Sequence, residues 1–248
     1  QDVREGVIEI AVLEGYVGDV VVTGNVRYES GIIKQALNRV ENAKVVNEAL
    51  LETAINELND YPGLNVRASL APGKKRGFTD ITLTAQERLP YSFLIDLDNY
   101  GSRYTGPWRY GAEITLGNLA GFADKLSFRG IKSDDDLSYG RISFSVPVGG
   151  YGTKLGLSYV HAENGVGEEF ASLEAAGRMD VASIDITQSM LRTAGASFQF
   201  TGGFDHKTIR NFASKALAGK DDLRVFRFGF NGDYRDRFLG RTFYGATW

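Results

Sequence analysis

Few residues of this 248-residue sequence are of a type that could break or form covalent bonds. His161 and His206 are the only histidines, and neither lies within a spacing that pairs it with further metal ligands. Both fall in or near segments predicted to be loops, so we interpret them as solvated loop residues. Asp134, Asp135 and Asp136 are consecutive, whereas a calcium-binding loop alternates its ligands and ends in a distal Glu. These three are also interpreted as a solvated loop.

The remaining candidates for chemistry have equally plain interpretations. The chain contains no Cys, which excludes disulfides and thiol chemistry. The run Gly149-Gly150-Tyr151-Gly152 is not followed by Lys and Ser or Thr, as a phosphate-binding loop requires, so it predicts a turn. Lys74, Lys75 and Arg76 are expected at the tip of a hairpin. The sequence therefore predicts no enzyme, no cofactor and no metal site, and its net charge of -3 gives no reason to expect nucleic acid as a partner.

The dominant pattern is a strict two-residue alternation of polarity from Tyr91 onward. Phe93, Ile95 and Leu97 alternate with Leu94, Asp96 and Asp98. The pattern recurs in runs that begin near 108, 125, 141, 154, 182, 198, 226 and 242. About ten alternating residues followed by a turn is typical of a transmembrane β-barrel, in which interleaved polar residues lower the mean hydropathy. We count about nine such strands.

Alternation alone does not say which face of the strands is buried, because a soluble β-sandwich shows the same period. Three features favour the barrel. The polar face combines many Gly with charged residues, as expected for a wet lumen. Aromatic residues lie near strand ends, at Tyr91, Trp108, Tyr110, Tyr159 and Phe230. The connections 117–124 and 148–152 are short, whereas 131–139, 161–180 and 211–222 are longer and polar.

The residues before Tyr91 predict a different kind of unit. Strand-like runs at Val7–Asn25 precede two helical stripes, of which the first starts at Ser30 as N-cap and the second ends at Pro62. Strands at 64–70 and 78–87 follow. We expect a β-α-α-β-β domain over 16–88 whose helices cover one face of the sheet, leaving an edge strand free. Residues 1–15 are expected to end a preceding domain, and 89–248 to form the first part of the barrel.

Several motifs in series resemble the two-partner secretion transporters, the haemolysin-activator and filamentous-haemagglutinin exporter type within the Omp85 superfamily. The motifs are Asp98-Asn99-Tyr100-Gly101-Ser102-Arg103-Tyr104-Thr105-Gly106, the turn from Gly117 to Leu126, and Phe144-Ser145-Val146-Pro147-Val148. Upstream, 58–66 and 71–73 resemble the polypeptide-transport-associated (POTRA) domain of that family. The resemblance implies an α+β periplasmic POTRA domain followed by an antiparallel transmembrane β-barrel that is incomplete in this chain.

The resemblance also implies a function and a location. We expect an outer-membrane pore, monomeric and embedded in lipid, whose POTRA domain recognises an unfolded secreted exoprotein in the periplasm. Capture is expected by pairing of the exoprotein with the sheet edge and the neighbouring helix, at Leu51, Ile55, Leu58, Asn65, Val66, Ala68 and Leu70. The barrel-entry motif comprises Asp98, Asn99, Gly101, Thr105 and Gly106, with positive φ expected at the two glycines. Arg109, Glu113, Arg129 and Arg141 are expected to face the lumen.

Other interpretations stay open on the sequence alone. The odd strand count predicts a fragment, yet Thr242–Trp248, with its terminal aromatic residue, could end an unusually small barrel. A barrel assembly or insertion factor of the same superfamily would share the architecture but act on other barrels. A passive diffusion pore would need no exoprotein.

Overall fold

The computed structural model describes residues 2–4, 7–9, 15–150, 152–236, 238 and 240–248. The helices and strands follow in the order β1 (Asp2–Arg4), β2 (Val7–Glu9), β3 (Tyr16–Thr23), α1 (Ser30–Gln35), α2 (Asn38–Asn42), α3 (Glu48–Asn59), β4 (Leu64–Pro72), β5 (Phe78–Glu87), β6 (Tyr91–Asp98), β7 (Arg109–Gly117), β8 (Lys125–Ser133), β9 (Leu137–Val148), β10 (Thr153–Gly165), β11 (Ala176–Arg192), β12 (Ala196–Ala213), β13 (Ala216–Arg235) and β14 (Arg241–Thr247). A 3-10 helix spans Glu168–Leu173.

The strands form three separate sheets. Strands β1 and β2 make a short antiparallel pair. The predicted strand from Val7 to Gly15 falls partly on residues 10–14, which lie outside the described residues. That the first fifteen residues end a preceding domain therefore stays a prediction.

Strands β3, β5 and β4 form the sheet of the small α/β unit, in that spatial order. Strand β3 runs parallel to β5, and β4 runs antiparallel to it. The helices pack on one face, where the apolar stripe of α3 meets alternate residues of the strands. The buried core comprises Tyr28, Ile33, Ala36, Leu37, Val40, Leu51, Ala54, Leu58, Leu64, Val66, Ile81, Leu83, Ala85 and Ala123. Within the described ranges α3 is the longest helix, at 12 residues, and no helix has the length and apolarity needed to cross a membrane.

The first predicted helix of this unit is in fact two short helices, α1 and α2, and Ser30 is not its N-cap. Glu29 occupies the cap position without a side-chain hydrogen bond. The hydroxyl of Ser30 instead accepts a hydrogen bond from the side-chain amide of Asn25, at 3.1 Å. The cap of α3 is Asn47, whose side chain accepts from the backbone N–H of Leu50 at 3.2 Å.

Strands β6 to β14 form one antiparallel sheet in which each strand pairs with the next along the chain. This arrangement confirms the predicted antiparallel barrel portion and its nine strands. Strands β6 and β14 are the two edges of the sheet among the described residues, so the barrel is incomplete in this chain.

Register gives the sheet two chemically different faces. One row across five strands is apolar and consists of Phe93, Ile114, Phe128, Ile142 and Tyr159. The adjacent row, on the opposite face, carries only hydroxyls over six strands: Ser92, Thr115, Ser127, Ser143, Ser158 and Ser183. Because side chains alternate along a strand, the apolar and polar residues predicted from the sequence do separate onto different faces.

The long polar loops predicted at 131–139 and 211–222 are mostly strand, and half of the loop predicted at 161–180 is strand, so this part of the prediction is wrong. Strands β10 to β13 continue past the apolar rows as paired hairpins. His161 and His206 therefore lie within strands β10 and β12. The ring of His161 contacts Asp180 at 2.7 Å and Glu163 at 3.2 Å. Cross-strand polar pairs hold these hairpins together where apolar alternation has ended.

One side of the α/β unit contacts the large sheet at the turn between β7 and β8. Ala123 of that turn lies in the core of the α/β unit, and Gly117 fits only because it has no Cβ, which would overlap Pro62.

Nearby, the Glu87 carboxylate accepts hydrogen bonds from the backbone N–H groups of residues 26–28. Burial alone would raise the pKa of Glu87, but these donors together lower it below its ordinary value. These hydrogen bonds hold the segment 26–28 within the unit, whereas the packing of Ala123 and Gly117, together with the connecting chain, joins the unit to the sheet.

Candidate functional site

Strand β4 is the open edge of the small sheet, since its only strand partner among the described residues is β5. At the start of this edge the side chain of Asn59 forms hydrogen bonds with both the backbone N–H and the backbone carbonyl of Val66. It accepts from the Val66 N–H at 2.6 Å and donates to the Val66 carbonyl at 3.3 Å. The backbone groups of Val66 therefore point away from β5, toward α3.

The alternation of an antiparallel strand then fixes which other groups face outward. Ala68 and Leu70 share the orientation of Val66, and neither has a hydrogen-bond partner for its outward groups in the described part of the chain. Pro72, the next outward residue, has no N–H to offer. The open edge is thus a window of two residues, Ala68 and Leu70, closed by Asn59 on one side and by Pro72 on the other.

The side chains predicted to bind a partner divide into two groups. Leu51, Leu58 and Val66 are core residues, so the prediction that they contact a partner is wrong. The helical period and the strand alternation that singled them out are also the signals of burial. Leu70 is 51% exposed and Asn65 is exposed. Ile55 and Ala68 are partly buried against the core.

The four charged residues predicted to line a lumen lie on one face of the large sheet. Arg109 and Glu113 lie four residues apart on the same face of β7. Glu113 pairs across the sheet with Arg129 of β8, and Arg129 pairs with Arg141 of β9. Arg129 forms two contacts with the Asp96 carboxylate, at 2.5 and 2.9 Å. That this face lines a lumen stays a prediction.

A second ion-pair cluster, which the sequence does not predict, lies on the same face. Arg227 donates to Asp205 at 2.9 and 2.8 Å and to Asp185 at 2.7 Å, so one guanidinium joins three strands. Asp205 is 4% exposed. The run Phe226-Arg227-Phe228 could have indicated this cluster. Because side chains alternate along a strand, an Arg between two Phe residues of the apolar face must lie on the polar face.

The opposite face of the sheet is apolar and uncovered. Phe144, Phe200 and Phe228 are 37%, 47% and 63% exposed. A soluble sandwich would bury such residues against a second layer, but within the described ranges no second layer packs on this face. An open apolar face of this extent in an otherwise polar protein indicates contact with lipid.

The barrel-entry motif forms a compact turn between β6 and β7. Asp98 accepts from the Tyr100 N–H at 3.0 Å and from the Arg109 guanidinium at 2.8 Å. The Thr105 carbonyl accepts from the hydroxyl of Ser133, and Asn99 is exposed.

Only one of the two glycines of this motif has positive φ. Gly106 has φ 97°, as predicted, whereas Gly101 does not have positive φ. Gly101 is needed for a different reason, since a Cβ there would overlap the Gly106 carbonyl. The motif therefore serves as a rigid corner, which positions Arg109 and Asp98 on the polar face.

Comparison with known proteins agrees with this architecture. Residues 77–246 match the family model described as haemolysin secretion/activation protein ShlB/FhaC/HecB. The heme/hemopexin transporter protein HuxB of Haemophilus influenzae is 26% identical over 251 residues, covering 100% of this chain and 44% of the relative. The outer membrane transporter CdiB of Escherichia coli O6:K15:H31 (strain 536 / UPEC) is 23% identical, covering 97% of this chain and 41% of the relative.

Solved structures show the same fold. CdiB from Escherichia coli superposes with a TM-score of 0.77 at 21% identity, covering 95% of this chain and 46% of that one. BamA from Haemophilus ducreyi, lacking POTRA domains 1–3, gives a TM-score of 0.58 at 17% identity, with 94% of this chain and 48% of that one covered. The chain thus spans just under half the length of the relatives it matches.

Proposed function

Because the chain belongs to the ShlB/FhaC/HecB family of haemolysin secretion/activation proteins, the two-partner secretion transporters of the Omp85 superfamily, we propose that it is part of an outer-membrane pore that exports an unfolded secreted protein. The α/β unit over residues 16–88 is the periplasmic POTRA receptor domain, and residues 89–248 are the first portion of the barrel. Residues 1–15 complete a preceding POTRA domain. The pore acts as a monomer within the lipid of the outer membrane.

One observation carries the proposal: a sheet with an uncovered apolar face and a charged, hydroxyl-rich opposite face is joined directly to a domain with an open strand edge. The apolar face suits lipid, and the polar face suits the passage of a hydrated polypeptide. A passive pore would have no use for the open edge, and the matched family is described as one of haemolysin secretion and activation proteins, which favours export over barrel assembly.

Capture of the exported protein proceeds by strand addition at the two-residue window. An extended segment pairs with the outward N–H and C=O groups of Ala68 and Leu70, which supply main-chain hydrogen bonds without sequence preference. The exposed side chain of Leu70 and the partly buried Ile55 add apolar contact beside the edge. The chain carries out no chemical reaction, and the folding of the exported protein outside the cell supplies the driving force.

The window can be tested by removing one donor. Ala68→Pro deletes an outward N–H and leaves the bonds of β4 to β5 intact, since those involve the odd-numbered residues. Ala68→Ser is the matched control because it keeps the N–H. We expect Ala68→Pro in the full-length transporter to bind an unfolded segment of the exoprotein about fivefold or more weakly, the effect of losing about one hydrogen bond.

Fluorescence anisotropy of the labelled segment measures this affinity, and secretion of the exoprotein reports the consequence in cells. Equal affinity for the two variants would remove the window from the capture mechanism. Val66→Pro is unsuitable as a test, because it also breaks the hydrogen bond to Asn59.

A further inference from the structure

Helix α3 carries a polar stripe that neither the core nor the capture window uses. Glu52, Asn56 and Asp60 follow one another at a spacing of four, which places them on one side of the helix and its C-cap. This side is opposite the core residues Leu51 and Leu58. The stripe contacts the end of β11 and the turn that follows it.

Each member of the stripe contacts that turn directly. Glu52 accepts from the Ala194 N–H at 2.8 Å, and Asn56 donates to the Arg192 carbonyl at 3.1 Å. Asp60 accepts two hydrogen bonds from the Arg192 guanidinium, at 3.1 and 2.8 Å. Both side chains of this ion pair are 35% exposed. The contact therefore consists of polar groups that water can replace.

A cavity lies behind this contact, between the helix and the sheet. A cavity of about 270 Å³ separates Glu57 and Tyr61 from the polar face of the sheet at Lys154, Thr187 and Asn231. Glu57 is 8% exposed, and its Oε1 has no hydrogen-bond partner, with Arg39 3.8 Å away. Burial of the Glu57 carboxylate with a long ion pair and no hydrogen bond to Oε1 makes the docked arrangement less stable.

The contact between domain and sheet at the β7–β8 turn is of a different kind. There Ala123 is buried in the domain core, and the Asn118 side chain donates to the Arg27 carbonyl at 3.3 Å. The connecting chain lies beside it, where the Gly117 N–H donates to the Pro90 carbonyl at 2.7 Å. One side of the domain is thus attached by packing and covalent connection. The other side is attached by the polar contacts at residues 192–194, by the Arg39 guanidinium, which donates to the Ser189 carbonyl at 3.3 Å, and by the close approach of Gly150 to the Gln35 carbonyl.

We propose that Arg192, Ala194 and the stripe Glu52–Asn56–Asp60 form a releasable latch, about which the domain opens by rotation at the 117–124 turn. With the latch closed, the end of α3 lies across the periplasmic end of the polar face, over the cavity. Opening separates helix and sheet and enlarges this cavity into an entrance. That opening accompanies export rests on the proposed function, whereas the latch itself does not.

A reversible cross-link tests whether export needs the latch to open. The chain contains no cysteine, so Glu52→Cys with Ala194→Cys gives it one reactive pair across the latch. A short bifunctional methanethiosulfonate reagent joins them in the full-length transporter, and a reductant releases them. We expect export to fall at least tenfold on cross-linking and to recover on reduction. The control pair Thr23→Cys with Thr84→Cys, on neighbouring strands within the domain, should leave export unchanged.

A distance measurement tests the latch without export. Spin labels at Glu48→Cys and Arg235→Cys span the latch, while labels at Arg88→Cys and Ala120→Cys span the pivot. Arg192→Ala should raise the ratio of separated to docked forms about two- to fivefold across the latch and leave the pivot distances unchanged. The charge-reversed pair Asp60→Arg with Arg192→Asp should restore the docked distances.

The two measurements fail in different ways. Undiminished export by the cross-linked transporter, or latch distances in Arg192→Ala identical to those of the unmodified protein, would overturn the latch. Absence of export before any cross-linking would instead contradict the proposed function, and the label distances would still decide the latch.

Discussion

The side chain of Asn59 accepts a hydrogen bond from the Val66 N–H at 2.6 Å and donates one to the Val66 carbonyl at 3.3 Å, so it covers the outward backbone groups of Val66. One amide side chain from the end of α3 thus takes the place that a pairing strand would occupy. This relationship restricts strand addition to the residues that follow, Ala68 and Leu70.

Replacing Asn59 by Ala should expose the Val66 amide to solvent and lengthen the capture window by one pair of groups. We expect amide exchange at Val66 to become about tenfold faster or more, because a protecting hydrogen bond is lost. Hydrogen exchange followed by mass spectrometry measures it. Asn65→Ala, at an exposed neighbouring position, serves as the control, and equal exchange in both variants would contradict the role of Asn59.

Ala123 should be intolerant of a charged side chain, because it lies in the core of the α/β unit at 4% exposure. Ala123→Asp would bury a carboxylate without a partner and should destabilise the docked turn by about 3 kcal/mol or more. Faster tryptic cleavage after Arg88 in the connecting segment would report the loosened junction. Ala120→Asp, exposed on the same turn, should be cleaved like the unmodified protein; similar rates for the two variants would argue against this packing.

Glu57 should make the docked state more stable at low pH. Burial raises the pKa of its carboxyl, only partly offset by Arg39, so the docked state holds the proton more tightly than the unfolded chain does. The stability due to protonation is therefore complete below the unfolded pKa of 4.5 and is lost as pH rises through the higher pKa of the folded state.

Glu57→Gln should abolish this dependence and raise stability at neutral pH by about 1 kcal/mol. Denaturant unfolding at several pH values between about 4 and 8 checks it, with the exposed Glu41→Gln as control. A pH profile unchanged by Glu57→Gln would contradict the assignment.

Arg141 should influence which ions enter the pore if the polar face lines it. It lies on that face and has no ion-pair partner in the described part of the chain, whereas Lys132 lies on the opposite face. Arg141→Glu should shift the reversal potential in a salt gradient toward cation preference, and Lys132→Glu should not. Planar-bilayer recordings of the full-length transporter give both values. A shift of equal size in the two variants would reverse the assignment of the faces.

The sequence by itself determined the two faces of the large sheet, since a two-residue period is a local property that needs no knowledge of partners. It also indicated the family, because motifs such as the Asp98–Gly106 corner are contiguous. The same local signals misassigned Leu51, Leu58 and Val66, for which burial and partner binding leave identical periodicity. The extended hairpins of β10 to β13 were missed because their pairing depends on cross-strand polar contacts and not on apolar alternation.

Only the tertiary structure decided which edge groups are open and how the domain meets the sheet. Asp60 and Arg192 are 132 positions apart, and in sequence each looks like an ordinary solvated charge. Likewise Asn59 reaches Val66 only once the helix end has turned back along β4. Hydrogen-bond direction and contacts between distant segments depend on the path of the whole chain, which no local pattern encodes.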